Sequence, residues 1–104
     1  MPKITVIARL KAKPGQEERL HKELMNLVAV THGEKGCINY DLHRNLDDPS
    51  EFWFYENWES RQDLDAHLAA PHLVHLDSIA GQLFAEEPEL IFLEMVSVPK
   101  PIAV

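Results

Sequence analysis

The sequence predicts an α+β domain of the ferredoxin-like class, with the element order βαββαβ. Four segments are typical of strands, because apolar and polar residues alternate in them or because they are apolar throughout. Segments between them repeat apolar residues at helical spacing. Two strand–helix–strand units in succession predict a four-stranded antiparallel sheet with helices on one face. We expect a single domain over 1–104, with a C-terminal tail at 98–104.

The first unit contains a strand, a helix and a second strand. Residues 3–11 alternate and predict a strand, which is ended by Pro14-Gly15. Acidic residues at the next positions favour the start of a helix, and leucines at helical spacing extend it to about His32. Residues 37–46 alternate again and predict a strand. Three of its apolar side chains should share one face: Ile38, Tyr40 and Leu42.

The second unit begins with a hairpin. Turn-forming residues occupy 47–50, and a third strand is predicted at 51–59. Ser60 then has the position of a helix N-cap. Pro71 breaks that helix and suits the first turn of a further helix, which runs to about Ala85.

The last predicted strand, 89–98, is apolar on both faces. One face carries Leu90, Phe92 and Val96. The other face carries Ile91, Leu93 and Met95. Helices cover only one side of such a sheet, so the second apolar face needs another cover. We expect a homodimer in which the two sheets face each other.

The composition excludes several classes of partner. Ten basic residues against seventeen acidic ones give a formal charge of −7, which argues against binding to nucleic acid or to an anionic membrane. Cys37 is the single cysteine, so an internal disulfide is impossible and a reducing cytoplasm is the expected location. No apolar run approaches the ~20 residues of a membrane span.

The third strand and the helices after it carry the residues best suited to chemistry. Alternate positions of a strand share a face, so four side chains should meet the helices together: Phe52, Phe54, Glu56 and Trp58. The opposite face carries Trp53, Tyr55 and Asn57. A carboxylate between aromatic residues on a covered face needs a polar partner. Glu56 is therefore a candidate either for proton transfer or for a structural ion pair.

Histidines supply the other candidate proton-transfer groups. His67 borders the apolar stripe of its helix, and a neutral imidazole is available as a base near neutral pH. His43, on the neighbouring strand, is a second candidate. His72 and His75 are one turn apart, and together with His67 they are candidate metal ligands. Pro71 changes the chain direction between them, so we expect no metal site.

Three segments resemble the antibiotic biosynthesis monooxygenase superfamily: ITVIARLKAKPGQEE, EKGCINYDLHRNLDDPSEFWFYENWES and LDAHLAAPHL. The run Tyr55-Glu56-Asn57-Trp58-Glu59-Ser60, followed by His67 and Pro71-His72, looks most like the small quinol monooxygenase-like members. The haem-degrading branch of that superfamily uses an Asn and a Trp at positions that look like Ala8 and His67 here. The resemblance therefore implies a dimeric α/β barrel without haem.

The reaction implied by the resemblance is the oxidation of a quinol-like or anthrone-like aromatic molecule by O2 without a cofactor. Such a reaction needs a dry pocket, a base and donors that hold the resulting anion. The implied catalytic candidates are His67, Glu56 and His43. The implied substrate-binding candidates are Trp58, Tyr40, Phe54, His72 and Asn57.

Two other functions stay open at the level of sequence. One is a non-oxidative enzyme, such as an isomerase acting on a small hydroxylated metabolite with the same imidazole and carboxylate. The other is a binding or assembly module without catalysis.

Overall fold

The computed structural model describes residues 3–101. It contains four strands and three helices: β1 (Ile4–Lys11), α1 (Glu17–Thr31), β2 (Cys37–Arg44), β3 (Glu51–Trp58), α2 (Arg61–Leu68), α3 (Pro71–Leu83) and β4 (Glu89–Leu93). Over this part of the chain, no helix has both the length and the apolar character needed to span a membrane. The predicted tail lies partly outside the described residues.

The four strands form one antiparallel sheet in the order β2-β3-β1-β4. The first strand therefore lies in the middle, paired with β3 on one side and with the last strand on the other. This order and the βαββαβ succession confirm the predicted ferredoxin-like class. The break between α2 and α3 is also confirmed, with Pro71 at the first position of α3.

The hydrophobic core lies between the three helices and one face of the sheet, here called the inner face. The strand residues buried on this face are Val6, Ala8, Leu10, Tyr40, Phe52, Phe54, Glu56 and Trp58. Leucines of all three helices pack against them: Leu20, Leu24, Leu27, Leu64, Leu76 and Leu83. The alternation of β3 thus places its even-numbered residues toward the helices, as predicted. The opposite side of the sheet is called the outer face.

The prediction that Ile38 shares a face with Tyr40 and Leu42 is wrong. The register between β2 and β3 shifts between Cys37 and Asn39, which is a β-bulge. The extra residue puts the half-buried Cys37 against the core and leaves the Ile38 side chain 42% exposed. Tyr40 and Leu42 keep their predicted face.

The last strand is shorter than predicted and ends at Leu93 instead of residue 98. Its partner β1 supplies pairing positions only from Thr5 to Arg9, where Thr5 pairs with Leu93. Only one residue of β1, Ile4, lies beyond Thr5, so the apolar run after Leu93 has almost no strand left to pair with. β4 lies at the sheet edge, and all five of its residues are exposed.

The loop between α1 and β2 is held against the start of α2. Ser60 caps α2 by accepting a hydrogen bond from the Asp63 backbone N–H at 3.1 Å, as predicted. Gly36 has φ +82°, and a Cβ at this position would clash with the Asp63 side chain. Its carbonyl accepts a hydrogen bond from the Glu59 N–H at 2.9 Å. These contacts fix the position of Glu34, two residues earlier.

Candidate active site

A cavity of about 200 Å³ lies between the inner face and the helices. Most of its lining is apolar and includes Ala8, Leu27, Phe54, Leu73, Leu76 and Leu90. Four lining side chains carry groups capable of proton transfer or hydrogen bonding: the buried Tyr40, Glu56 and His67, and the exposed Asp77. A mostly apolar cavity with a few converging polar groups is the usual form of a small-molecule site.

His67 lies in the last turn of α2 and is 1% exposed. Its ring packs at a centroid distance of 4.6 Å from the Trp58 indole and 5.2 Å from the Tyr40 ring. These two aromatic rings come from adjacent strands, so the sheet fixes the orientation of the imidazole. His67 lines the cavity, as its predicted role requires.

Glu34 fixes the tautomer of His67. Its Oε1 lies 3.0 Å from His67 Nδ1, so a neutral ring donates its Nδ1 proton to the carboxylate. The second nitrogen, Nε2, then carries the lone pair and makes no hydrogen bond within residues 3–101. Burial lowers the pKa of His67 below its ordinary value, and the hydrogen bond and charge of Glu34 offset part of this effect. The neutral form of the ring is therefore favoured, and its Nε2 lone pair can accept a proton.

Glu56 is 4% exposed and lines the same cavity. The Trp58 indole N–H donates a hydrogen bond to its Oε1 at 3.0 Å. Burial raises the pKa of Glu56 to about 7, a shift that the Trp58 hydrogen bond opposes and the charge of Glu34 supports. Glu56 is thus a carboxyl group that can donate or accept a proton near neutral pH.

Tyr40 is the third polar group of the cavity. It is 2% exposed and stacks on Phe54 at a centroid distance of 4.5 Å. Burial raises the pKa of Tyr40 well above its ordinary value, and the charges of Glu56 and Glu34 add to the effect. An interaction with the Thr31 side chain opposes part of this rise, and the Tyr40 hydroxyl keeps its proton.

His72 lies outside the cavity lining. Its Nε2 lies 2.5 Å from Glu34 Oε1, and its ring centroid lies 6.0 Å from that of His67. His72 was predicted to bind substrate; the structure places its ring against Glu34 and not in the lining of this cavity. Trp58 is 0% exposed. Its indole packs against the His67 ring and donates a hydrogen bond to Glu56.

His43 and Asn57 lie on the outer face, so the structure does not bring them to the cavity. The His43 side chain is exposed, and its Nδ1 lies 3.2 Å from the Asp41 carbonyl oxygen. Asn57 accepts a hydrogen bond from the Thr5 hydroxyl at 2.5 Å and donates one to Asn39 at 2.9 Å. Both residues alternate with inner-face neighbours, and this alternation turns them away.

Glu34 is the site residue that the sequence did not predict. It lies in the short loop after α1, between Gly33 and Gly36, where no periodic pattern applies. The two glycines indicate a tight loop but not the direction of the side chain between them. Glu34, His67 and His72, here called the Glu34 cluster, bring one carboxylate and two imidazoles within 4.8 Å of one another.

The fold is ferredoxin-like and encloses a mostly apolar cavity, and comparisons specify the family. Residues 3–76 match the model of the family described as antibiotic biosynthesis monooxygenase. The chain belongs to this family.

Named relatives agree with the family assignment. The chain is 32% identical to "Putative monooxygenase Rv0793" of Mycobacterium tuberculosis, over 77% of this chain and 78% of that protein. It is 31% identical to "Probable quinol monooxygenase YgiN" of Escherichia coli, over 77% of this chain and 88% of that protein. The crystal structure of PA3566 from Pseudomonas aeruginosa superposes with a TM-score of 0.88 at 30% identity, covering 93% of this chain and 97% of that one.

Proposed function

We propose that this protein is a cofactor-independent monooxygenase that oxidises a small quinol-like or anthrone-like molecule with O2. The observation that carries the proposal is His67, whose ring lines a mostly apolar cavity and whose Nδ1 is held by Glu34, while its Nε2 makes no hydrogen bond within the described residues. This is the arrangement of an oriented general base. Monooxygenase names among the relatives support the class of reaction.

The chemistry begins with removal of a proton from the substrate. His67 Nε2 takes the proton from a ring hydroxyl or from the activated ring carbon, and the resulting anion passes one electron to O2. The two radicals combine at the ring carbon. Loss of water then leaves one oxygen atom on the substrate as a carbonyl, while the other oxygen leaves in the water. All four electrons that reduce O2 come from the substrate, so no external reductant is required.

Two neighbours stabilise the anion that His67 creates. The Tyr40 hydroxyl keeps its proton and can donate to the developing oxyanion. Glu56, when protonated, can donate to a second oxygen of the substrate or return a proton when water leaves. The lining is mostly apolar, and a substrate that fills the cavity would displace water, which strengthens both interactions.

The cavity also limits the substrate. Its volume of about 200 Å³ is below the ~300–1,000 Å³ typical of sites for drug-sized ligands. We therefore expect a molecule of one to three fused rings, with few substituents and one or two ring oxygens. The stacked Tyr40 and Phe54 rings favour a flat substrate.

Oxygen uptake tests this function directly. Metal-stripped protein is mixed with a panel of hydroquinones and anthrones in an oxygen electrode, and the product is analysed after reaction under ¹⁸O2. We expect uptake above the autoxidation blank and one ¹⁸O atom in the product. Uptake equal to the blank on every substrate would contradict the proposal, as would a product without ¹⁸O.

A non-oxidative reaction is the second candidate, and one observation favours it. Glu56 and His67 line the same cavity, so a carboxyl group that titrates near neutral pH and an imidazole can act on one substrate. Such a pair can move a proton between carbons of a hydroxy-carbonyl compound. Turnover of such a compound without O2, together with no oxygen uptake on aromatic substrates, would favour this function.

A further inference from the structure

We propose that Glu34, His67 and His72 form a binding site for a divalent transition-metal ion such as zinc. The carboxylate comes from the α1–β2 loop and the two imidazoles from α2 and α3. Two histidines and one glutamate are a ligand set that zinc adopts in proteins, with the remaining position taken by water.

The positions of the three ligand atoms carry the proposal. Glu34 Oε1 is approached by His67 Nδ1 at 3.0 Å and by His72 Nε2 at 2.5 Å, and all three ligand atoms lie within 4.8 Å of one another. Ligands of a tetrahedral zinc ion stand roughly 3.3 Å apart, given bond lengths of about 2.0 Å. Small rotations of two imidazole rings and one carboxylate bring the cluster to that spacing.

The surroundings of the cluster leave room for the rest of the coordination shell. An open depression next to the cluster is lined by Glu34 and His72, and also by Lys35 and Asp63, whose opposite charges balance. The His67 side chain is 2% exposed, whereas those of Glu34 and His72 are 18% and 20% exposed. An ion therefore enters from solvent, and its open position faces the depression and not the cavity.

The backbone around the cluster is fixed before the metal arrives. Gly36 packs on Asp63, and Ser60 caps the helix that carries His67. Pro71 starts the helix that carries His72 in its first turn. A site whose ligands are already positioned loses little conformational entropy on binding the ion. His75, one turn beyond His72, is directed to Glu23 at 3.7 Å and does not belong to the cluster.

The site has a consequence for the cavity, and this consequence rests on the proposed function. A metal on Nδ1 of His67 forces the proton of the neutral ring onto Nε2, which then donates instead of accepting. Bound zinc would therefore suppress oxygen uptake while leaving the cavity open. The binding measurement below uses no substrate, so it stands or falls independently of the oxidation reaction.

Isothermal titration of metal-stripped full-length protein with Zn²⁺ tests the site. We expect one ion per chain, with the affinity reduced at least tenfold in His72→Ala and in Glu34→Gln. His75→Ala is the matched control, because it removes an exposed imidazole outside the cluster, and it should bind as the wild type does. Glu34→Gln keeps the size of the side chain, so it remains informative if His72→Ala does not fold.

Three results would overturn the proposal. The first is no binding of Zn²⁺ up to millimolar concentration, which would leave the cluster as hydrogen bonds alone. The second is unchanged binding in both His72→Ala and Glu34→Gln, which would place the ion elsewhere. The third is an equal loss in His75→Ala, which would indicate adventitious binding to surface histidines.

Discussion

The chemistry of single residues in this site depends on which of their nitrogen and oxygen atoms already make hydrogen bonds within the protein. His67 uses Nδ1 for Glu34, and Glu56 uses Oε1 for Trp58. Each group therefore presents only part of its hydrogen-bonding capacity to the cavity. This distinguishes them from His43 and His75, whose rings are exposed and can adopt other orientations.

Glu56 should make the stability of the protein depend on pH. Its folded-state pKa of about 7 is above the ordinary value of 4.5, so the folded state favours the protonated carboxyl. This contribution is fully present below about pH 4.5 and is lost as the pH rises through 7, with a total of up to about 3 kcal/mol. Urea unfolding at pH 5 and pH 8.5 measures it.

Glu56→Gln should remove that pH dependence, because the amide is neutral at both values. The variant should gain stability relative to the wild type at pH 8.5 and not at pH 5. Glu59→Gln, at an exposed position just after β3, is the control and should keep the wild-type profile. A Glu56→Gln profile parallel to that of the wild type would show that Glu56 does not titrate between these pH values.

At the scale of elements, the contact between the α1–β2 loop and α2 sets the geometry of the site. Gly36→Ala forces a side chain into the left-handed region and against Asp63, so we expect a loss of about 1–3 kcal/mol in the free energy of unfolding. The loop that carries Glu34 should shift as well, which would weaken the Glu34–His67 hydrogen bond.

Gly81→Ala is the matched control for this change. Gly81 lies in α3, and a Cβ there meets no atom within 4 Å. Alanine should therefore stabilise the helix by up to about 1 kcal/mol. Denaturant unfolding of the two variants gives the comparison, and equal effects of the two substitutions would contradict this view of the loop.

Periodic features of the elements could be predicted from sequence, and non-periodic ones could not. Alternation in β3 predicted that Phe54, Glu56 and Trp58 face the helices, because the two-residue period of a strand depends only on backbone geometry. The bulge at Ile38 follows from pairing with β3, which local sequence does not encode. Glu34 reaches His67 through 33 positions of chain separation, so only the folded loop reveals the contact.

At the scale of the whole molecule, the outer face and β4 carry exposed apolar side chains. Ile91 and Leu93 are 46% and 48% exposed, and Tyr55 is 40% exposed. We propose, as the sequence predicted, that a second copy of the chain covers this face. Such a contiguous apolar surface on a sheet is typical of an interface.

Leu93→Glu tests this assembly. A charge on the outer face should convert a dimer to a monomer, because burying it between two sheets is costly. Light scattering after size-exclusion chromatography gives the mass. Val74→Glu places the same charge at an exposed apolar position on α3 and should not change the mass. A wild-type protein that is monomeric at high micromolar concentration would contradict the proposed dimer.

The proposed function depends most on His67 as the proton acceptor of the cavity. The most direct measurement is the rate of substrate-dependent oxygen uptake by His67→Gln beside His43→Gln, with EDTA present and folding verified by circular dichroism. We predict a loss of about 10²–10⁴-fold in kcat for His67→Gln, the usual contribution of a general base, and a wild-type rate for His43→Gln on the outer face. A His67→Gln enzyme with the wild-type rate would contradict the role of His67 as general base.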